Sequence, residues 1–145
     1  MIPKPEQVGE DKRPTDVDLV NAFYEVFNSW KIDEAVEFLR DDFEWRPAFG
    51  RGLMGGNAYV GRDGFRRYCE DIREGFTQYR VDLRALESVG REQVLAHVRA
   101  AAIGRASGVG VDRDFWILYT LRDGQIARGE TFDERAQALN RAVGI

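Results

Sequence analysis

The segment that most constrains this chain is FWILYTLRDGQIARGETF, residues 115–132, in which two apolar runs meet at Asp123-Gly124. A two-residue turn of type I′ needs positive φ at both central positions, and Asp-Gly meets that need at low steric cost, so the segment is read as a β-hairpin. A hairpin fixes register, and register fixes which side chains share a face. With Asp123 and Gly124 as the loop, Arg122 opposes Gln125, Leu121 opposes Ile126, Tyr119 opposes Arg128 and Ile117 opposes Glu130. Directly opposed residues lie on one face. The register therefore predicts Glu130 beside Ile117 and Tyr119, a carboxylate set into an apolar stripe. Residues 115–121 are apolar on both faces, which predicts a central strand.

The rest of the chain supplies the remaining layers. Thr15 offers a helix N-cap with Asp18 three residues on, and Leu19/Val20, Phe23, Val26/Phe27 and Trp30 then recur at helical spacing. Ile32, Ala35, Val36 and Leu39 predict a second, shorter helix, and FEWRP a short strand ended by Pro47. Residues 48–60 hold four glycines with no following Lys-Ser/Thr, so they read as a loop and not as a phosphate cradle. A third helix is predicted from about Gly61–Asp63, with Phe65, Tyr68/Cys69, Ile72 and Phe76 along it.

Long strands follow. Tyr79, Val81, Leu83 and Ala85 alternate with polar residues, and the phase slips at Leu86, which predicts a bulge. After a turn at Gly90, Val94, Ala96, Val98, Ala100 and Ala102 share one face. Leu95, His97, Arg99, Ala101 and Ile103 share the other, placing His97 outward. ERAQALNRAVGI closes the chain as a short helix. Three helices with one short strand among them, then antiparallel strands, predict an α+β domain: one curved sheet with helices on a single face and a cavity between.

Composition narrows the function classes. At 145 residues the chain is one domain with room for a core. Residues 1–14, with three of the four prolines, read as a flexible arm, and 15–145 as the domain. Eighteen of the 21 basic residues are Arg, but no basic run is longer than the pair Arg66-Arg67 and the net charge is −4, so no nucleic-acid surface is expected. No 18-residue apolar stretch and no leader-like N-terminus occurs, so neither a membrane partner nor export is expected, and the location is read as cytoplasmic. Cys69, the single cysteine, falls at an apolar helical position and reads as a buried core residue. One histidine and no Cys/His/carboxylate cluster at ligand spacing predict no metal, and no cofactor is expected.

Four stretches, FNSWKIDEAVEFLRDDFEW (27–45), GRDGFRRYCED (61–71), SGVGVDRDFWILYTLRDGQI (107–126) and ETFDERAQAL (130–139), carry a resemblance that spans nearly the whole chain after residue 15. The chain resembles the SnoaL-like, or polyketide-cyclase-like, branch of the nuclear-transport-factor-2-like superfamily. The resemblance implies a cone-shaped α+β fold, with a curved antiparallel sheet, three helices on its concave face and a short C-terminal helix. The superfamily hosts isomerases, cyclases, epoxide hydrolases, dehydratases and binding modules, so the fold leaves the reaction open.

Particular members can be tested at particular residues. Likeness to ketosteroid isomerase would put an oxyanion tyrosine at Phe23, a base near Arg46 and a protonated aspartate at Ile117. Phe23 and Ile117 cannot donate and Arg46 cannot accept a proton; Tyr24 is one position away, on a different helical face. Likeness to limonene epoxide hydrolase would put an Arg and an Asp at Val98 and Ala100 and a second Asp at Glu130, of which one acid is present. The SnoaL-like cyclases need only a carboxylate in an apolar pocket, and the resemblance implies Glu130 for that role, its pKa raised by the surroundings.

Glu130 is thus the candidate acid–base residue. The candidate ligand-binding residues are Phe23, Phe27, Trp45, Val98, Ala100, Ile117 and Tyr119, bounding a cavity under the first helix. Two functions stay open: a cofactor-free isomerase, cyclase or hydrolase acting on a small apolar or ring-containing molecule, and a non-catalytic ligand-binding or dimeric scaffold protein. The helices can cover only one face of a sheet that is apolar on both, so a homodimer through the outer face is expected.

Overall fold

The computed structural model describes residues 15–47 and 58–142. The expected arm at 1–14 lies outside them, as does most of the expected glycine-rich loop. Helix α1 (Asp16–Asn28) starts where the sequence places it: the Thr15 side chain accepts from the Asp18 N–H and the Asp18 carboxylate accepts from the Thr15 N–H. This closes the capping box and satisfies two otherwise unpaired donors. Helix α2 (Ile32–Ala35) is shorter than its periodicity suggests. It tightens into a single 3₁₀ turn at Val36–Phe38, and Leu39 already belongs to strand β1 (Leu39–Arg46).

Strand β2 (Tyr59–Val60), inside the expected loop, adds to the edge of β1 and leads into α3 (Gly61–Gly75). Four long strands follow: β3 (Phe76–Gly90), β4 (Gln93–Gly104), β5 (Gly110–Arg122) and β6 (Gln125–Phe132); α4 (Arg135–Ala142) ends the described chain. The six strands form one open sheet in the order β2-β1-β6-β5-β4-β3. All neighbours are antiparallel except β1 and β6, which run parallel. The expected β3 bulge exists, but its shift falls between Leu83 and Ala85, so that Leu86, not Ala85, faces inward opposite Ala96.

The β5–β6 hairpin turns on Asp123 and Gly124, both with positive φ, as Asp-Gly demands. Arg122 pairs with Gln125 and Leu121 with Ile126, as expected from the turn. The register then shifts: Thr120 pairs with Arg128, so Ala127 is one extra residue on β6. From there on every inward position moves by one. Tyr119 faces Gly129, Ile117 faces Thr131, and Glu130 faces Leu118.

Helices α1 and α3 pack on the inner face of the sheet, over a core that runs from Val20, Phe23 and Phe27 through Phe43, Trp45, Phe65, Tyr68 and Ile72 to Val94, Val98, Ile117 and Tyr119. The outer face is not bare. Helix α4 crosses it over β5, β6 and β3, burying Leu95, Leu118 and Ala138 together. The charged ends of α4 reach sideways, Arg135 to Glu87 at 2.5 Å and Arg141 to Glu130 at 2.9 Å. The premise that helices cover only one face of this sheet is therefore corrected.

Candidate ligand cavity

Two small voids adjoin between the helices and the sheet, each of about 30 Å³, which is room for little more than a water. Trp45, Tyr68, Tyr79, Val81 and Ile117 are common to both walls. The first void lies under α1, whose Phe23, Tyr24 and Phe27 form its roof, with Phe43 of β1, Phe65 of α3 and Tyr119 of β5. The second lies deeper on the sheet, against Val98 and Ala100 of β4, Phe115 of β5 and Thr131 of β6. All seven candidate ligand residues of the sequence line these voids. The small Ala100 and Val98 on β4 leave the space that larger side chains would fill.

The walls are built by ring packing. Trp45 and Tyr119 stack nearly parallel, 5° between planes with centroids 6.4 Å apart, and Trp45 meets Tyr68 edge-on at 5.6 Å. Both stacked rings lean on Gly129, where an added Cβ would sit 2.7 Å from the Trp45 six-membered ring and 3.1 Å from the Tyr119 ring. No other residue type leaves that space. Tyr24 and Tyr119 share a hydrogen bond of 2.6 Å, and Tyr68 and Tyr79 one of 2.8 Å. Tyr24 thus reaches the cavity, contrary to its expected place on a different face of the helix. α1 presents a broad aromatic arc, and a tyrosine at its margin needs only its hydroxyl turned inward.

Burial is the main cause that holds these phenols protonated. It pushes Tyr24, Tyr68 and Tyr119 well above the ordinary tyrosine value, and Tyr79 up to about 12. The neighbouring phenols add to the rise in Tyr68 and Tyr119. Among the described residues lining the two voids there is no carboxylate, histidine, lysine or arginine. What remains are neutral hydrogen-bonding groups. Two of them, Trp45 Nε1 and Thr131 Oγ1, are buried with no partner.

Glu130, the expected acid–base residue, is not in this lining. The extra residue at Ala127 turns it to the outer face, where its Oε1 lies 2.9 Å from Arg141 and 3.5 Å from Arg128. Arg128 also approaches Glu44, and Glu44 approaches Arg46, so Glu130 is one link in a run of alternating charges along β1, β6 and α4. Its place beside Ile117 belongs to Thr131. The missed wall residues Phe65 and Tyr68 were legible as the apolar stripe of α3. Thr131 could have been found only by knowing the bulge.

His97 and Cys69 lie where the sequence places them. His97 stacks on Trp116 on the outer face, centroids 4.8 Å apart, with Nε2 3.3 Å from Asp114. Cys69 is buried, and desolvation pushes its thiol up to about 12, away from nucleophile chemistry. No group of three or more His, Cys, Asp or Glu suited to a metal ion occurs among the described residues, and none of their helices is long and apolar enough to cross a membrane. Outside the cavity, Tyr79 and Arg80 also line two open grooves beside Trp30, of about 290 and 460 Å³.

Comparison with known proteins places the architecture. No curated protein matches the chain. Among solved structures, an NTF2-like protein from Burkholderia thailandensis E264 superposes with a TM-score of 0.75 at 20% identity, covering 88% of this chain and 98% of that one. TerC, co-crystallised with polyporic acid, gives 0.70 at 21% identity, covering 90% and 98%. A candidate polyketide cyclase from Pseudomonas putida KT2440 gives 0.66 at 17%, covering 90% and 99%. At such identities the likeness is one of fold: the cone-shaped nuclear-transport-factor-2-like α+β fold. The sequence model of the SnoaL-like domain matches residues 20–129, most of the chain, and with the fold it establishes that this protein belongs to the SnoaL-like family.

Proposed function

We propose that the protein binds a small, neutral, largely apolar ring-containing molecule in the aromatic cavity, without a carboxylate moving a proton. The observation that supports this most is the chemistry of the lining. Rings and aliphatic groups supply the surface, while the polar groups are phenols, an indole and a hydroxyl. General acid–base chemistry near neutral pH needs a group that exchanges protons there. The buried phenols are held far above that range, and Glu130, ion-paired on the outer face, is not in reach. An aromatic cavity with few polar groups is the usual form of a small-molecule site. That a protein of the same fold was co-crystallised with polyporic acid, and that others carry polyketide-cyclase names, agrees with a small organic ligand.

Each void holds about one water as it stands, so a ring enters only with movement of a wall. Tyr79 is the natural wall to move. It is half-buried and common to both voids and both outer grooves. Thermal unfolding in the presence of single-ring phenols, ketones and hydrocarbons tests the reading: a guest at 100 times its Kd should add about 2.7 kcal/mol to stability. Absence of any shift up to the solubility limit of every probe would sink it. Tyr79→Ala should speed binding of the same probes, and Glu130→Gln should leave it unchanged.

We also propose that two copies associate through the part of the outer face that α4 leaves open. There the His97–Trp116 stack lies beside Arg99, which pairs with Asp112 at 2.8 Å. A dimer here would bury an aromatic patch within a polar rim. Light scattering should give twice the 16.6 kDa chain mass at micromolar concentration, and Trp116→Lys should return it to one.

A further inference from the structure

We infer that the ligand presents a neutral hydrogen-bond acceptor, a ketone or ether oxygen, to Trp45 Nε1 and Thr131 Oγ1. This rests on the ligand-binding reading above and narrows it to a chemical class. The two side chains are over nine-tenths buried, at 7% and 8% residual exposure, and line the same void. Neither polar atom has a hydrogen-bond partner. A buried polar group without a partner costs roughly 1–3 kcal/mol, so two such groups on side chains that line one void call for an occupant.

Their placement follows from the register. Trp45 pairs with Gly129 across the parallel β1–β6 ladder, and Thr131 stands two residues farther along β6 on the same face. The Cε3–Cζ3 edge of the indole rests on Gly129, which leaves the Nε1 edge on the other side of the ring system. The other polar atoms of the lining are differently situated, since the four tyrosine oxygens already bond in pairs.

The donor inventory then sets the ligand class. An indole N–H can only donate, and a threonine hydroxyl can donate as well, so the complement is an oxygen with two lone pairs. No cation lines the void to offset a buried anion, and no anion to offset an ammonium. Carboxylates and amines are therefore disfavoured, and a ring ketone or cyclic ether suits both the aromatic wall and the donor pair.

Cyclohexanone and methylenecyclohexane make the test, because they match in shape and differ in the acceptor oxygen. Cyclohexanone should move the Trp45 indole N–H resonance, assigned with Trp45→Phe, downfield, and methylenecyclohexane should not. Thr131→Val, which keeps the side-chain shape, should weaken cyclohexanone about tenfold, the size of one buried hydrogen bond, and leave methylenecyclohexane within twofold. If both probes bind and neither the resonance nor Thr131→Val distinguishes them, the two groups hold only an internal water, and the inference fails while the cavity-binding reading stands. If neither probe binds at any attainable concentration, both fail.

Discussion

The two faces of β6 are a few ångströms apart and chemically opposite. Inward, Gly129 and Thr131 meet stacked rings and a void; outward, Arg128 and Glu130 join a run of charges from Glu44 to Arg141. Successive residues of a strand point to opposite sides, so the assignment of each residue depends on parity alone. One extra residue, Ala127, sets that parity. The comparison teaches that an acid in the right sequence neighbourhood for a catalytic pocket is separated from it by a single bulge, and that the inner face keeps neutral groups while the outer face keeps the charge.

The harshest way to break this division is to insert a second alanine beside Ala127. With the bulge still taking up one residue, the lengthened strand would turn Glu130 toward Ile117 and leave Arg141 without its partner, burying an unpaired carboxylate at a cost of about 3–5 kcal/mol or more. Loss of cooperative unfolding, or a large drop in urea midpoint, is the expected result. An insertion variant of native stability would show that the residue count after the turn does not set the facing. Gly129→Ala comes next. Its methyl would collide with the Trp45 and Tyr119 rings, and overpacking of this kind costs roughly 1–3 kcal/mol, readable in the same denaturant titration.

Tyr119→Phe strips the 2.6 Å partner from Tyr24 and should cost about 1–2 kcal/mol. The double variant with Tyr24→Phe should cost less than the sum of the singles, because the second change removes the group left unsatisfied. Glu130→Gln on the outer face should be the mildest. Its ion pairs are partly solvated, with 20% of the Glu130 side chain and 41% of the Arg141 side chain exposed, so a loss under about 1 kcal/mol is expected. A loss as large as that from Gly129→Ala would mean that the outer charges matter as much as the inner rings.

Alkaline titration sharpens the same contrast. All five tyrosines lie above the ordinary value of 10.0, with burial the largest cause in each and, for Tyr59, a 2.6 Å hydrogen bond to Asp71 adding to it. A phenol with its folded value raised binds its proton more tightly in the folded state than in the unfolded one. Stability is therefore unaffected below the unfolded value, near pH 10, and falls as pH rises from there through the folded values, about 12 for Tyr79. Tyrosinate absorbance should stay flat through pH 10 and then rise together with loss of near-ultraviolet circular dichroism. A separate early step would reveal a tyrosine open to solvent.

By itself the sequence determined the elements and most of the cavity wall. Local rules suffice where the deciding atoms are neighbours in the chain: the Thr15–Asp18 box, the Asp123-Gly124 turn, the aromatic stripe of α1 and the small residues of β4 that leave room. Phe23, Phe27, Val98 and Ala100 were legible on those grounds, while Trp45, Ile117 and Tyr119 rested on the resemblance to a cone-shaped fold. Only the tertiary structure decided that Thr131 and not Glu130 faces the void, that Tyr24 turns its hydroxyl to Tyr119, and that α4 closes part of the outer face. The reason is physical. The bulge at Ala127 is adopted because Trp45 and Tyr119, far apart in the chain, both need the space over Gly129, and because the Glu130 charge keeps solvent and arginines on the opposite face. Neither demand is visible to the residues around the turn.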